Sequence, residues 1–387
     1  MRKVFYLVLS LVIASCTSNN ELQEKLAFID VTEEYPEKKI ELTDIAGVSY
    51  LHLNSKTDDY LYKGSIDYVT ENNIIVIDRS QNSVLFFSKE GNPKSHFNRR
   101  GQGPEEYSDA ASLMYDEAND EVFVSPDFSN HIMVYSSLGE FKRKINLPQV
   151  NVNGQMALFD DVSILVYDNT KLWQSTMQSN APEVEQTIDS VFFLISKLDG
   201  TVLDYISLPN ENIDLSYKNS VFTSQVNYGR VRKSADGLLL YNPESDTVFH
   251  YSKEKHLTPY MHKKPILSSQ NPMTVMDICM DAGKYQFIAV YPYRETGKSP
   301  TPKYYMRNKA TGELFRQKIT LSDFEGKELY INPRLFNYEH AYHFELDFAE
   351  LEEAYYKNKL SGKLKELVAS LLENEESNNV FVFADFN

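Results

Sequence analysis

Glu339, His340, His343 and Glu345 crowd together near the C-terminus, and such a set of imidazoles and carboxylates is what a metal site would need. The run 336–348 alternates like a strand, however. Phe336, Tyr338, His340, Tyr342, Phe344 and Leu346 fall on one face, with Glu339, His343 and Glu345 on the other. The two histidines therefore point apart, and no metal is assigned. Asp58-Asp59 and Asp160-Asp161 lack the alternating oxygen ligands and following glycine of a calcium loop. No Gly-x-Ser-x-Gly elbow or His-Glu-x-x-His pair occurs, and Gly101-Gln102-Gly103 lacks both a following helix and the Gly-Lys-Ser/Thr of a phosphate loop. Of the two cysteines, Cys279 sits alone in an apolar run, 275–280, and reads as a core residue. No catalytic residue and no cofactor is assigned from these motifs.

The elements that would position a site repeat along the chain. Strand-length apolar runs occur at 74–77, 84–87, 122–124, 132–135, 162–167, 191–195, 238–241, 248–251 and 287–290. Glu90-Gly91, Leu138-Gly139, Asp199-Gly200 and Thr311-Gly312 sit in hairpin turns, glycine taking the position of positive φ. Their spacing is that of four-stranded propeller blades, with two units between Gly200 and Gly312. Five units fit between Ser65 and Thr320. A sixth is assembled from both ends, 48–53 and 380–383, which closes the ring and removes exposed edges. The expected fold is all-β: a six-bladed β-propeller of four-stranded antiparallel blades, closed by pairing N- and C-terminal strands. Leu364, Leu367, Val368, Leu371 and Leu372 recur at helical spacing, so 362–374 is expected to be an amphipathic helix in the last blade, preceded by another over 348–357.

The start of the chain carries an address. Arg2 and Lys3 precede an apolar stretch, 4–13, too short to span a bilayer. The sequence Leu11-Val12-Ile13-Ala14-Ser15-Cys16 resembles the lipobox of bacterial lipoproteins, which implies cleavage before an acylated Cys16. Residues 1–15 thus read as a signal peptide, 16–39 as a lipid-anchored flexible tether and 40–387 as the propeller domain. Losing Arg2 and Lys3 takes the formal charge from −16 to −18, which disfavours nucleic acid as a partner.

The run from Gly101 through Tyr107, with Glu121-Val122-Phe123-Val124, residues 127–135 and Leu138-Gly139-Glu140-Phe141, resembles the NHL repeat. With the lipobox and the late helix, the chain is similar to six-bladed propeller lipoproteins of gut-type Gram-negative bacteria. That resemblance implies a binding or scaffold role at the cell envelope, in the outer membrane on its periplasmic or surface face, and supplies no catalytic residues.

In an antiparallel blade the second-to-third and blade-to-blade connections share one rim, while the glycine hairpins lie on the other. The first rim is expected to gather Arg79, Arg99, Arg100, Gln102, Glu105, Tyr107, Asn130, Trp173 and Arg294 as ligand-binding candidates, with Lys298 adding charge. Arginines on an acidic body suggest an anionic or polyhydroxylated ligand. A glycan, peptide or envelope protein is expected as partner of a monomer, with a hydrolase or lyase acting on an envelope polymer as the alternative.

Overall fold

In the computed structural model, residues 26–54, 60–126, 129–147, 152–168, 192–209, 231–242, 245–266, 274–292, 301–332, 341–374 and 378–386 are described. They form a six-bladed propeller. The first blade is β4 (Ile66–Val69), β5 (Ile74–Asp78), β6 (Ser83–Phe87) and β7 (Pro93–Phe97); the second is β8 (Ser112–Asp116), β9 (Glu121–Ser125), β10 (His131–Tyr135) and β11 (Phe141–Asn146). The third comprises β12 (Val152–Leu158), β13 (Ser163–Asp168), β14 (Phe192–Ser196) and β15 (Val202–Ile206). The fourth comprises β16 (Val231–Ser234), β17 (Gly237–Tyr241), β18 (Thr247–Ser252) and β19 (Leu257–Lys264). The fifth is β20 (Thr274–Ala282), β21 (Tyr285–Pro292), β22 (Lys303–Asn308) and β23 (Leu314–Thr320), to which β24 (Glu328–Leu329) adds an antiparallel bridge. First strands of successive blades run beside one another, β4 by β8, β8 by β12, β12 by β16 and β16 by β20, so they form the inner wall of the ring.

The two ends of the chain share the sixth blade. Its described strands are β25 (Ala341–Leu346), β26 (Val380–Asp385) and β3 (Gly47–His52), and β26 pairs antiparallel with β3 from Val380↔His52 to Asp385↔Gly47. A shared core seals the joint to the first blade: Leu53 and Phe381 pack with Ile66, Ile74, Val76 and Phe87. Alternation along β5 divides its side chains between two neighbours. Ile74 and Val76 join the core shared with the sixth blade, Ile75 and Ile77 the core shared with the second.

The glycine hairpins lock neighbouring blades. Gly91, Gly139 and Gly200 have φ of 84°, 78° and 79°, and each nests on the outermost strand of the preceding blade. A Cβ on Gly139 would lie 2.4 Å from Cβ of Phe97, and one on Gly200 2.6 Å from Cγ2 of Ile145. The fourth blade uses Lys255 at φ 64°, its amide bonded to the carbonyl of Ser252, which is why the glycine period skips a unit there.

One expected boundary is corrected. Residues 26–39 were expected to be tether, yet β1 (Ala27–Asp30) adds in parallel to β19 and β2 (Glu37–Glu41) adds in parallel to β23. With β3 as outermost strand of the sixth blade, the N-terminal chain moves one blade every ten residues, starting at 27, 37 and 47. Ile29 is fully buried between the fourth and fifth blades, whereas Phe28 is exposed. β1 is only four residues long and β2 is polar but for Ile40, and each buries a single side chain on an outer edge, which hid them. A short helix, α1 (Leu42–Ile45), links β2 to β3.

The helical insertion lies between β25 and β26. Asp347 caps α2 (Phe348–Tyr356), its carboxylate accepting from the amide of Glu350 at 3.1 Å. In α3 (Gly362–Glu373) Leu364, Val368 and Leu371 are buried, with Leu367 and Leu372 packed beside them, in a core that also holds Phe324, Leu346, Leu351 and Leu360.

Candidate functional site

The connection from β7 to β8 holds most of the expected rim residues. It is a closed structural loop. The amide of Gly101 donates to the carbonyl of Tyr107 at 2.9 Å, the amide of Tyr107 to Arg99 at 3.0 Å, and the amide of Gly103 to the carboxylate of Glu106 at 2.8 Å. Tyr107 is fully buried: its hydroxyl donates to the carbonyl of Asn82 at 2.7 Å and accepts from the amide of Arg99 at 3.1 Å. Burial pushes that hydroxyl up to about 12, so it remains a neutral donor. Tyr107 therefore anchors the loop and presents nothing to a ligand, against expectation. Gln102 and Glu105 are exposed, and the carbonyl of Glu105 accepts from the Tyr135 hydroxyl at 2.9 Å.

The arginines do not converge. Arg79 pairs with Asp67 of innermost β4 at 2.6 Å and reaches the carbonyl of Ala111, just before innermost β8, at 3.5 Å. Burial pushes the Asp67 carboxyl up, and its bonds from Arg79 and the Ile77 amide offset only part of that. Nε of Arg99 instead donates at 2.7 Å to the carbonyl of Gly139, in the hairpin between β10 and outermost β11. Arg79 thus stands at the inner radius and Arg99 at the outer. The antiparallel rule for rims assigns a face and not a radius, so it does not bring an inner and an outer side chain together. Arg100 and Asn130 are exposed; the carbonyl of Asn130 accepts from Leu147. Trp173, Arg294, Lys298, Cys16 and His340 lie outside the described residues.

The opposite rim holds a cavity of about 220 Å³ between the second, third and fourth blades. Every lining segment is a strand end or hairpin of that rim: Asp116 closes β8, Phe159 and Asp160 turn from β12 to β13, Lys197 follows β14, Ser234 ends β16 and Lys253 follows β18. Lys197 and Asp116 form a buried ion pair across two blades. Burial pushes the Asp116 carboxyl up, but the bonds from Lys197 and from Asn119, the latter at 2.8 Å, outweigh it and hold the group below its usual range. The Asp160 carboxylate accepts from the amides of Val162 and Ser163 and from the Ser163 hydroxyl, at 2.9, 2.7 and 2.6 Å, and it too stays ionised. Ser234 is buried, and its hydroxyl has no hydrogen-bond partner among the described residues. Nothing in the sequence pointed to this cavity, since its residues come from three blades and Asp116 and Lys197 stand 81 positions apart.

Other buried charges serve the framework. Lys263 and Asp246 pair at 2.5 Å, and Arg232 faces Asp277 at 3.5 Å between innermost β16 and β20 while its Nε bonds the carbonyl of Ile278. Cys279, at a bulge in β20, is buried, and desolvation pushes its thiol well above the usual value. His343 is enclosed by Phe381 and Phe383, while Tyr342, Phe344 and Leu346 share the other face as the alternation predicted. Among the described residues, no group of three or more His, Cys, Asp or Glu is placed to hold a metal.

Residues 26–385 match a family described as a domain of unknown function, DUF4934. The chain belongs to the DUF4934 family. The match begins one residue before β1, so the N-terminal strands that grip the fourth and fifth blades fall within the DUF4934 domain. Among solved structures, a protein of Bacteroides fragilis described as exported is similar at 15% identity and a TM-score of 0.63, covering 91% of this chain and 99% of that one. A DUF4221-family protein of Bacteroides vulgatus shows 13% identity and a TM-score of 0.45, covering 89% and 97%. Virginiamycin B lyase of Staphylococcus aureus shows 11% identity and a TM-score of 0.41, covering 87% and 99%. At such identities the likeness concerns the fold. No curated protein matches this DUF4934 chain in sequence.

Proposed function

We propose that this protein is a monomeric, lipid-anchored binding module of the bacterial cell envelope, held at the outer membrane through an acylated Cys16 and presenting the propeller to a glycan, peptide or envelope protein. The observation that carries the reading is the path of the N-terminal chain along the circumference. Because β1, β2 and β3 add to the outer edges of the fourth, fifth and sixth blades, an anchor leading into them approaches from the side. The described N-terminal strands then leave the rims of these blades uncovered. The lipobox-like run before Cys16 and the acidic balance of the chain support the same reading, as does the description of a propeller of similar fold as exported. Cys16→Ser should move the protein from the membrane to the soluble fraction with its melting temperature unchanged. An unchanged membrane fraction would contradict the anchor.

A further inference from the structure

We propose that the hairpin rim of the second to fourth blades lies against the lipid bilayer, with Leu138, Val162 and Leu198 dipping into its interface. The inference rests on the acylated Cys16 of the binding-module reading and names the face that this anchor turns to the membrane.

Two independent observations meet on this rim. The first is the direction of the N-terminal chain. β19 starts at the hairpin of the fourth blade and runs away from it, and β1 lies parallel to β19 in the register Ala27↔Met261 to Asp30↔Lys264. Parallel strands start at the same end, so β1 is entered from the end of the blade that carries the hairpin. Residues 17–25 separate Cys16 from Leu26, and ten Cα–Cα steps span at most about 36 Å. A lipid on Cys16 is thereby tied close to the hairpin end of the fourth blade. The second observation is what the neighbouring hairpins expose. Leu138, Val162 and Leu198, at 66%, 67% and 73%, are the three most exposed large aliphatic side chains among the described residues. All three stand in turns of this rim: Leu138 between β10 and β11, Val162 between β12 and β13, and Leu198 between β14 and β15. Such turns ordinarily take polar residues or glycine. The amide of Lys197 donates to the carbonyl of Val162 at 2.9 Å, which sets Val162 beside Leu198, and Arg143 of the second blade donates to the Lys197 carbonyl at 2.7 Å. Exposed Lys89, Lys253 and Lys255 interleave with exposed Glu90, Asp199 and Glu254 on these hairpins. Apolar area rather than attraction to anionic headgroups therefore drives the contact, and a neutral bilayer suffices. The opposite rim, with exposed Arg79 and Gln81 between β5 and β6, then faces away from the bilayer towards a partner.

The test places an environment-sensitive nitrobenzoxadiazole label on the full acylated chain in vesicles of phosphatidylcholine and phosphatidylethanolamine. Cys16 is acylated in that chain and Cys279 is buried, so an introduced cysteine takes the label. The sites are Leu138→Cys and Leu198→Cys on the hairpin rim, Gln81→Cys on the opposite rim and Phe28→Cys on the outer edge of the fourth blade. Emission from the labels at 138 and 198 should shift to the blue on vesicles and be lost when the acyl chains carry nitroxide, while the label at 81 shows neither change. Quenching at 81 as strong as at 138 and 198 would overturn the proposal, as would quenching at 28 with 138 and 198 left in water. A blue shift at 138 and 198 without nitroxide quenching would also overturn it, since a second copy of the chain would then cover the tips. If the chain stays bound to vesicles with both tips in water, the orientation fails and the anchor stands; if the chain is soluble with Cys16 intact, the anchor fails and the orientation with it.

Discussion

At the scale of single residues, two kinds of position carry the most weight. The hairpin glycines combine a left-handed backbone with close approach, and the two effects can be separated. Gly139→Ala must both adopt a φ of 78° and place a methyl 2.4 Å from Cβ of Phe97, whereas Gly312 has a φ of 74° with its nearest neighbour, Nη2 of Arg307, at 3.9 Å. Gly312→Ala should cost about 1 kcal/mol for the backbone alone, and Gly139→Ala about 3 kcal/mol or more once overpacking is added; denaturant unfolding of the two variants measures the difference. The buried Asp116–Lys197 pair is the second kind. The carboxyl of Asp116 is held below its usual range, so its contribution is complete above the unfolded value, about pH 4, and is lost as pH falls through the lower folded value. Asp116→Asn strands a buried ammonium and should cost about 3 kcal/mol at neutral pH, and it should flatten the acid limb of the stability curve below pH 4. An acid limb as steep as in the parent chain would show that Asp116 titrates normally.

At the scale of elements, legibility followed burial. The apolar runs at 74–77, 84–87, 122–124, 132–135, 162–167, 191–195, 238–241, 248–251 and 287–290 mark second or third strands of their blades, whose described side chains are mostly buried. The outermost strands β7, β11 and β15 alternate exposed and covered residues, which left them below the threshold of a clear strand signal. The helix pair was legible because α2 and α3 show a 3.6-residue stripe. The parallel additions β1 and β2 were not, since each buries little beyond Ile29 or Ile40. Their contribution can be measured: Ile29→Ala should cost about 2–4 kcal/mol, in the range of large-to-small core changes, and Phe28→Ala, one residue earlier and half-exposed under the Lys264 ammonium at 4.5 Å, should cost about 1 kcal/mol or less. Equal, negligible effects in urea unfolding would return this segment to a tether. The candidate site was the least legible feature. A rim rule based on strand direction assigns a face and not a radius, so it could not tell that Arg79, which meets Asp67 of an innermost strand, stands apart from Arg99, which meets the hairpin of Gly139 beside an outermost one.

At the scale of the whole molecule, the ring depends on joining residues separated by almost the full chain. Each pair of neighbouring blades shares an apolar core, and the sixth blade reaches both the fifth, through Val380 and Val382 packed with Phe287 and Phe315, and the first, through Phe381. A cavity that spans three blades and an anchor that enters along the circumference both presuppose that closure. The pairing of β26 with β3 in the register Val48↔Ala384 and Ser49↔Phe383 is therefore what most needs direct measurement. Directly opposed residues of an antiparallel pair lie about 4.5 or 5.5 Å apart at Cα, within disulfide reach. In chains carrying Val48→Cys with Ala384→Cys, or Ser49→Cys with Phe383→Cys, oxidation should link the two ends in at least one pair, seen as a shifted band under non-reducing conditions, while Val48→Cys with Phe383→Cys, whose side chains point to opposite faces, should stay open. Linkage in neither opposed pair, or equal linkage in the mismatched one, would contradict the closed six-bladed ring.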